Sequence, residues 1–337
     1  MGEPVVGRGE ERVSIREVAT RAGVSPATVS RVFTRPDAVA PDTRDRVLAV
    51  AQELRYTPHP VARSLARRRT GNLGIVVPDI ANSFSAVVTK AVQQEAARDG
   101  YALFVSGSDE RAQDEEQWAR AMAPQVDGLM LVSPLMSDEA LRELADIPLV
   151  LSNRLLDALP AVVTDASDAV GHAVEHLHAL GHREIVYLAG PDGFANTMRL
   201  RGYHGACRRL GVRPRELGPF NARFADGVRA ADLVLATSAT AVVAYNDEVA
   251  VGVLNRLADR GLRVPDDLSV VGVDDTSLAE MVTPRLTTVR LPAAESGRVG
   301  VRILLDLIDR RPAPAEPVRL AAELIVRSST GPVRHGE

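Results

Sequence analysis

The chain has 337 residues, 45% of them hydrophobic, with one cysteine, Cys207, and a formal net charge of −4. That length supports more than one domain and a sizeable core, a lone cysteine excludes an internal disulfide framework, and no apolar run approaches membrane-spanning length. The charge is split: residues 1–69 carry 13 arginines and 8 acidic residues, net +5, leaving 27 basic and 36 acidic residues, net −9, for residues 70–337; such a basic head suits contact with phosphates.

Residues 1–11, Gly-rich and charged, read as a disordered leader, and nothing in Met1 to Val13 resembles an apolar signal region, so a cytoplasmic location is expected. Ser14 to Phe33, SIREVATRAGVSPATVSRVF, then reads as two short helices about a tight turn. Ser14 and Glu17 have capping-box spacing, in which each side chain satisfies an amide of the first turn. Ile15, Val18, Ala19 and Ala22 fall on one apolar face, and Gly23 can supply the left-handed conformation that ends the helix. Ser25 suits the N-cap of the second helix and Pro26 its first position. A third amphipathic segment runs from about Pro41 to Leu54, with Val47, Leu48, Val50, Ala51 and Leu54 on its apolar side. An ordinary helical hairpin fits the cap and the turn equally well; the basic charge that follows favours a DNA-binding helix-turn-helix over residues 12–57. Pro58 to Arg69, with two prolines in three residues and an Arg run, marks a linker.

Beyond residue 70, short Val/Ile/Leu runs ("LGIVV", "YALFV", "DGLMLV", "IPLVL", "EIVYLA", "AVVAY", "LSVVGV") alternate with helical stretches and read as buried strands. This alternation implies doubly wound parallel sheets, and the number of units favours two lobes. Ligands of such sheets sit at the carboxyl ends of strands, here in a cleft between lobes.

The helix-turn-helix followed by "VAPDTRDRVLAVAQELRYTPHPVARSLARRRTGNLGIVVPDIANSF" resembles the LacI family of bacterial transcription regulators. The blocks "AVEHLHALGHREIVYLAG", "MRLRGYHGA", "AVVAYNDEVAVGVLNRLADRGLRVPDDLSVVGVDD" and "PRLTTVR" continue the likeness in the family's order. The resemblance implies a periplasmic-binding-protein-like core over 70–331. Its N-lobe is expected at about 70–164 and 291–318 and its C-lobe at about 165–290 and 319–331, with crossings near Asp165, Arg290 and Arg319 and a tail at 332–337. It assigns base reading to Pro26, Ala27 and Arg31 in the major groove, and phosphate contacts to Ser14, Thr28 and Ser30. Arg31 can donate two hydrogen bonds to guanine O6 and N7, which discriminates by about 1–3 kcal/mol. Residues 58–69 resemble the family's hinge helix, with Ala62 and a wedge leucine, Leu65, in the minor groove at a central CG step; Leu65 as a linker residue packed on the next domain is the other reading. His59 stands where the family often has asparagine.

The same resemblance places a small effector against Arg199, Asn246 and Asp274, with Asn153 and Phe84 facing them from the other lobe. A guanidinium, an amide and a carboxylate can pair with adjacent hydroxyls, which suits a sugar or a ribose. Read from position alone, Asn246 and Asp274 are helix N-caps. Leu291 and Ala222 depart from the glutamine and the aromatic common at their places. His172 and His176 have zinc-ligand spacing, but His178 points elsewhere and no further ligands are evident, so no metal or other cofactor is expected. Adjacent aspartates at 266–267 and 274–275 point apart, and no nucleophile elbow, P-loop or G-x-G-x-x-G occurs, so no catalysis is expected. No leucine heptads follow residue 331, so a homodimer on a palindromic operator is expected. A nucleoside-responsive, corepressor-dependent regulator, a solute-binding protein and an enzyme on the same sheets are the alternatives.

Overall fold

The computed structural model describes residues 13–34, 36–56 and 69–334. The chain divides into two compact units, Met1–Gly71 and Asn72–Glu337.

The first unit holds α1 (Ile15–Ala22), α2 (Pro26–Thr34) and α3 (Pro41–Glu53). The capping box forms: the Ser14 amide donates to Glu17 Oε2 at 2.6 Å and the Glu17 amide to Ser14 Oγ at 3.3 Å. Gly23, at φ 65°, ends α1, and Ser25 Oγ accepts from the Thr28 amide at 3.1 Å to start α2. Val18, Ala19, Ala22, Val29, Val32, Val47 and Ala51 close a small core. Leu48, expected on the apolar side of α3, is 42% exposed, because it lies about 100° around the helix from Val47, off the Val47–Ala51 stripe.

The second unit contains two six-stranded sheets among the described residues. The first comprises β1 (Asn72–Val77), β2 (Ala102–Gly107), β3 (Gly128–Val132), β4 (Leu149–Ser152), β5 (Ala161–Asp165) and β11 (Val318–Ala321), all parallel, in the order β11-β5-β4-β3-β1-β2. The second comprises β6 (Ile185–Leu188), β7 (Arg215–Leu217), β8 (Ala241–Ala244), β9 (Ser269–Asp274), β10 (Thr287–Arg290) and β12 (Glu323–Ile325), in the order β12-β10-β9-β8-β6-β7, with only β12 antiparallel. Between β1 and β3, and between β6 and β8, the strand order reverses, which opens a crevice at the carboxyl ends of each sheet.

The helices of the first lobe include α4 (Ser83–Arg98), α5 (Ala112–Met122), α6 (Asp138–Glu143) and, returning late in the chain, α12 (Ala293–Ile308). The second lobe carries α7 (Ser167–Ala179), α8 (Phe194–Leu210), α9 (Phe224–Leu235), α10 (Asp247–Asp259) and α11 (Ser277–Met281). The chain passes between sheets after Asp165, after Arg290 and at Ala322. The third crossing thus falls later than Arg319, because Arg319–Ala321 stay paired in register with Val163–Asp165 of β5. The expected tail is docked over its described part: the Val333 amide donates to Leu180 O at 2.9 Å and Arg334 pairs with Asp266 at 2.6 Å. "YALFV" is an edge strand and not a buried one, with Phe104 and Val105 38% and 43% exposed.

In the first lobe Glu115 of α5 is buried, accepting hydrogen bonds from the amides of Leu135 at 2.9 Å and Met136 at 3.5 Å. Burial pushes its carboxyl up to about 7 against an ordinary value of 4.5, with the two amides and Arg154 opposing. The folded chain therefore keeps a proton that the unfolded chain releases, and this contribution to stability is lost as pH rises from about 4.5 through about 7. Urea unfolding at pH 5 and pH 8 is expected to show the wild type losing about 2–3 kcal/mol more than Glu115→Gln over that interval. Equal losses would contradict the assignment.

Candidate functional site

At the facing strand ends of the two lobes lies a cavity of about 70 Å³ lined by Pro78, Asp79, Asn82, Phe84, Ser85, Glu110, Val132, Ser133, Asn153, Ala195, Arg199, Ala222, Tyr245, Asn246 and Asp274. Phe84, Asn153, Arg199, Asn246 and Asp274, selected from sequence, all stand in its wall. A neighbouring cavity of about 40 Å³ shares Pro78, Glu110, Ser133, Asn153, Ala195 and Tyr245.

Arg199, on α8, is only 5% exposed. Its Nη1 donates to Tyr245 O at 2.6 Å, its Nη2 to Asp274 Oδ1 at 3.2 Å, and its guanidinium carbon stands 4.2 Å from the centre of the Tyr245 ring. Its Nε is buried with no acceptor. Such an unmet buried donor is costly. Gly190, just past β6, makes room for the Tyr245 ring; a Cβ there would lie 2.2 Å from it.

Asn246 both caps a helix and lines the cavity. Its Oδ1 caps α10, accepting from the Val249 amide at 2.9 Å, and its Nδ2 donates to Ala222 O at 3.0 Å, while the side chain forms part of the cavity wall. Asp274 ends β9 and caps no helix; Thr276 stands at the N-cap of α11. Burial pushes the Asp274 carboxyl above the usual carboxylate range; Arg199 draws it down, and Asp247 and Glu248 push it further up. Asn153 Oδ1 accepts from the Thr164 amide at 3.0 Å, which fixes it between β4 and β5. Leu291 packs in the second lobe's core, away from the cavity wall, whereas Ala222 does line it.

Asp79, Asn82, Glu110, Ser133 and Tyr245 also line the cavity and were not singled out from sequence. Two of them, Glu110 and Ser133, share positive φ with Asp109, Asn153, Asp274 and Asp275, at the ends of β2, β3, β4 and β9. Such conformations cost about 1–3 kcal/mol each and cluster where function holds them. Only Asn153 and the aspartates belong to residue types that visit this region readily, so a sequence signal for Glu110 and Ser133 is lacking.

Three sets of contacts bridge the lobes at the mouth. Glu248 Oε1 accepts from Asn82 Nδ2 at 3.0 Å and the Ser83 amide at 3.1 Å. Arg223 reaches Asp79 at 3.4 Å and Asp109 at 3.5 Å. Glu110 accepts from the Ala222 amide, and burial pushes its carboxyl up, opposed by Arg223 and that amide.

On α2, Pro26, Ala27 and Arg31 are exposed while Val29 and Val32 are buried, so the three expected base readers share the solvent face. The hydroxyls of Ser25 and Thr28 bond each other at 2.9 Å, Ser14 works in the capping box, and Ser30 is half-buried. Ala62 and Leu65 lie outside the described residues. His176 bonds Thr330 Oγ1 at 2.9 Å and His182 bonds Thr240 Oγ1 at 2.9 Å and Gly331 O at 3.0 Å, so both anchor the end of the chain. No group of three metal-ligating side chains occurs among the described residues. Asp275 is held by Arg290 at 2.7 Å and Arg327 at 2.6 Å, a structural ion pair.

Removing Arg199 from its buried pair strands Asp274. Arg199→Met is expected to cost about 3–5 kcal/mol in urea unfolding, with Asp274→Asn added to it recovering at least half; additive losses in the double variant would show that the pair does not couple.

The profile described as bacterial regulatory proteins, lacI family, matches residues 14–59, and the periplasmic binding protein-like domain matches residues 174–330. Catabolite control protein A of Priestia megaterium is 33% identical over 329 residues, covering 94% of this chain and 99% of its own. The HTH-type transcriptional repressor CytR of Escherichia coli (strain K12) is 33% identical over 331 residues, covering 95% of this chain and 97% of its own. Among solved structures, the lac repressor dimer bound to operator and the anti-inducer ONPF superposes with a TM-score of 0.83 at 28% identity, over 95% of this chain and 100% of that one. The complex of the transcriptional regulator CelR with cellobiose gives 0.67 at 32% identity, over 94% of this chain and 100% of that one. With relatives at this identity over nearly its whole length, the chain belongs to the LacI family of bacterial regulatory proteins.

Proposed function

We propose that this protein is a cytoplasmic, non-enzymatic transcriptional repressor that binds a palindromic DNA operator as a homodimer and is controlled by a small sugar in the cleft. The observation that carries the reading is the joint presence of a solvent-facing Arg31 on α2 and a polar cleft with an unmet buried donor, Arg199 Nε. The relatives support it: one solved structure is a lac repressor dimer on operator, and another is a regulator with bound ribose from Enterococcus faecium, at a TM-score of 0.71 and 26% identity.

In this scheme Pro26, Ala27 and Arg31 read the major groove, Ser14, Thr28 and Ser30 contact phosphates, and Ala62 and Leu65 enter the minor groove at the operator centre. Phe84, Asn153, Arg199, Asn246 and Asp274 hold the sugar. A ligand that prefers one arrangement of the bridged lobes shifts the population of that arrangement. A coupling of about 1–3 kcal/mol is enough for a 5- to 150-fold change in operator affinity.

Selection from a randomised DNA pool tests the regulator reading. The wild type is expected to enrich a palindrome with a central CG step and to lose affinity steeply with salt. Arg31→Ala should lose about 5- to 150-fold in preference for the selected site over random DNA while keeping most of its binding to random DNA. Equal wild-type binding to selected and random DNA would contradict sequence-specific regulation.

A further inference from the structure

Resting on the effector reading above, we infer that the cleft takes an uncharged, unphosphorylated sugar and rejects the phosphorylated form of the same sugar. Among the groups lining the cavity, Asp79, Glu110 and Asp274 are acidic and Arg199 alone is basic. The nearest further cation, Arg223, is shared between Asp79 and Asp109, and Glu248 adds another carboxylate at the mouth.

Phosphate recognition needs several free donors converging on one group, commonly a bidentate guanidinium or the open amides of a helix N-terminus. The guanidinium and the starts of two of the three helices at the cavity are already engaged. Arg199 gives one N–H of Nη1 to Tyr245 O, one of Nη2 to Asp274 and its face to the Tyr245 ring, so the fork that would grip a phosphate is already engaged. At the start of α4, which opens on the cavity, Asn82 Oδ1 takes the amides of Phe84 at 3.0 Å and Ser85 at 3.2 Å, and Glu248 takes that of Ser83 at 3.1 Å. At the start of α10, Asn246 Oδ1 takes the Val249 amide at 2.9 Å, and Asp247 and Glu248 occupy the first turn. The start of α8 has no side-chain cap and reaches both cavities through Ala195, but Glu110 lines both cavities beside it and Asp192 the smaller one.

What remains suits hydroxyls. Acidic side chains and Asn153 line the same wall and can bond to hydroxyls, while Phe84 and Tyr245 offer apolar faces. A phosphate brought into this desolvated space would find its one lining cation already engaged with Tyr245 and Asp274. The volume of about 70 Å³ is also far below the roughly 300–1,000 Å³ of drug-sized pockets, which favours a small ligand.

Calorimetric titration of the full chain with a panel of pentoses and hexoses, each paired with its phosphate ester, tests the inference. At least one free sugar is expected to bind, with its ester weaker by about 100-fold or more. In Glu110→Gln that gap should narrow by about tenfold. An ester that binds as tightly as its parent sugar, or more tightly, would overturn the charge exclusion, as would a gap unchanged in both Glu110→Gln and Asp79→Asn. Absence of binding by every sugar and every ester would instead overturn the sugar-effector reading beneath it.

Discussion

The buried guanidinium of Arg199 ties the site together, because it joins three elements that the sequence brings from far apart. From α8 it reaches the carbonyl of Tyr245 between β8 and α10, the carboxylate of Asp274 at the end of β9, and the face of the Tyr245 ring. A charge so buried is tolerable only while paired. The pair therefore fixes where β9 ends, how Tyr245 lies and which face of α8 looks into the cleft. It also leaves Nε as a buried donor without an acceptor.

Around that clamp the two lobes meet through polar contacts and through Phe84, which packs on the cores of both, and Phe194, which packs on a core of the first. The residues holding them, Asp79, Asn82 and Glu110 on one side and Ala222, Arg223 and Glu248 on the other, border or line the cavity. Glu110 and its neighbour Asp109 have positive φ, a strain the surrounding structure must hold. Polar bridges of this kind can be exchanged for bonds to a ligand at small net cost, since each is worth only about 0.5–1.5 kcal/mol. The lobes are joined covalently by three chain crossings, at residues 165–167, 290–293 and 322.

Much of this was legible in the sequence wherever the determinant is local. Ser14, Glu17, Gly23 and Ser25 specify the head through caps and a turn, and the Val/Ile/Leu runs specify the sheets through continuous burial. Arg199, Asn246 and Asp274 were legible only through family resemblance, since Asn246 read alone is a helix cap, which it also is. Long-range facts escaped. The register of Arg319–Ala321 against β5 moved the third crossing, the edge position of β2 left Phe104 and Val105 exposed, and the docking of Arg334 on Asp266 tied down the expected tail. Glu110 and Ser133 gave no signal because left-handed backbone at a glutamate or a serine is imposed by the fold around it.

The central claim is that cleft and DNA-binding head share one equilibrium, and reciprocity tests it most directly. The measurement is the affinity of the full chain for a sugar that binds the cleft, with and without saturating selected operator DNA, beside the affinity for that DNA with and without saturating sugar. Coupling requires the two ratios to agree and to differ from one, within about 5- to 150-fold. Sugar and DNA that each bind without altering the other's affinity would contradict it.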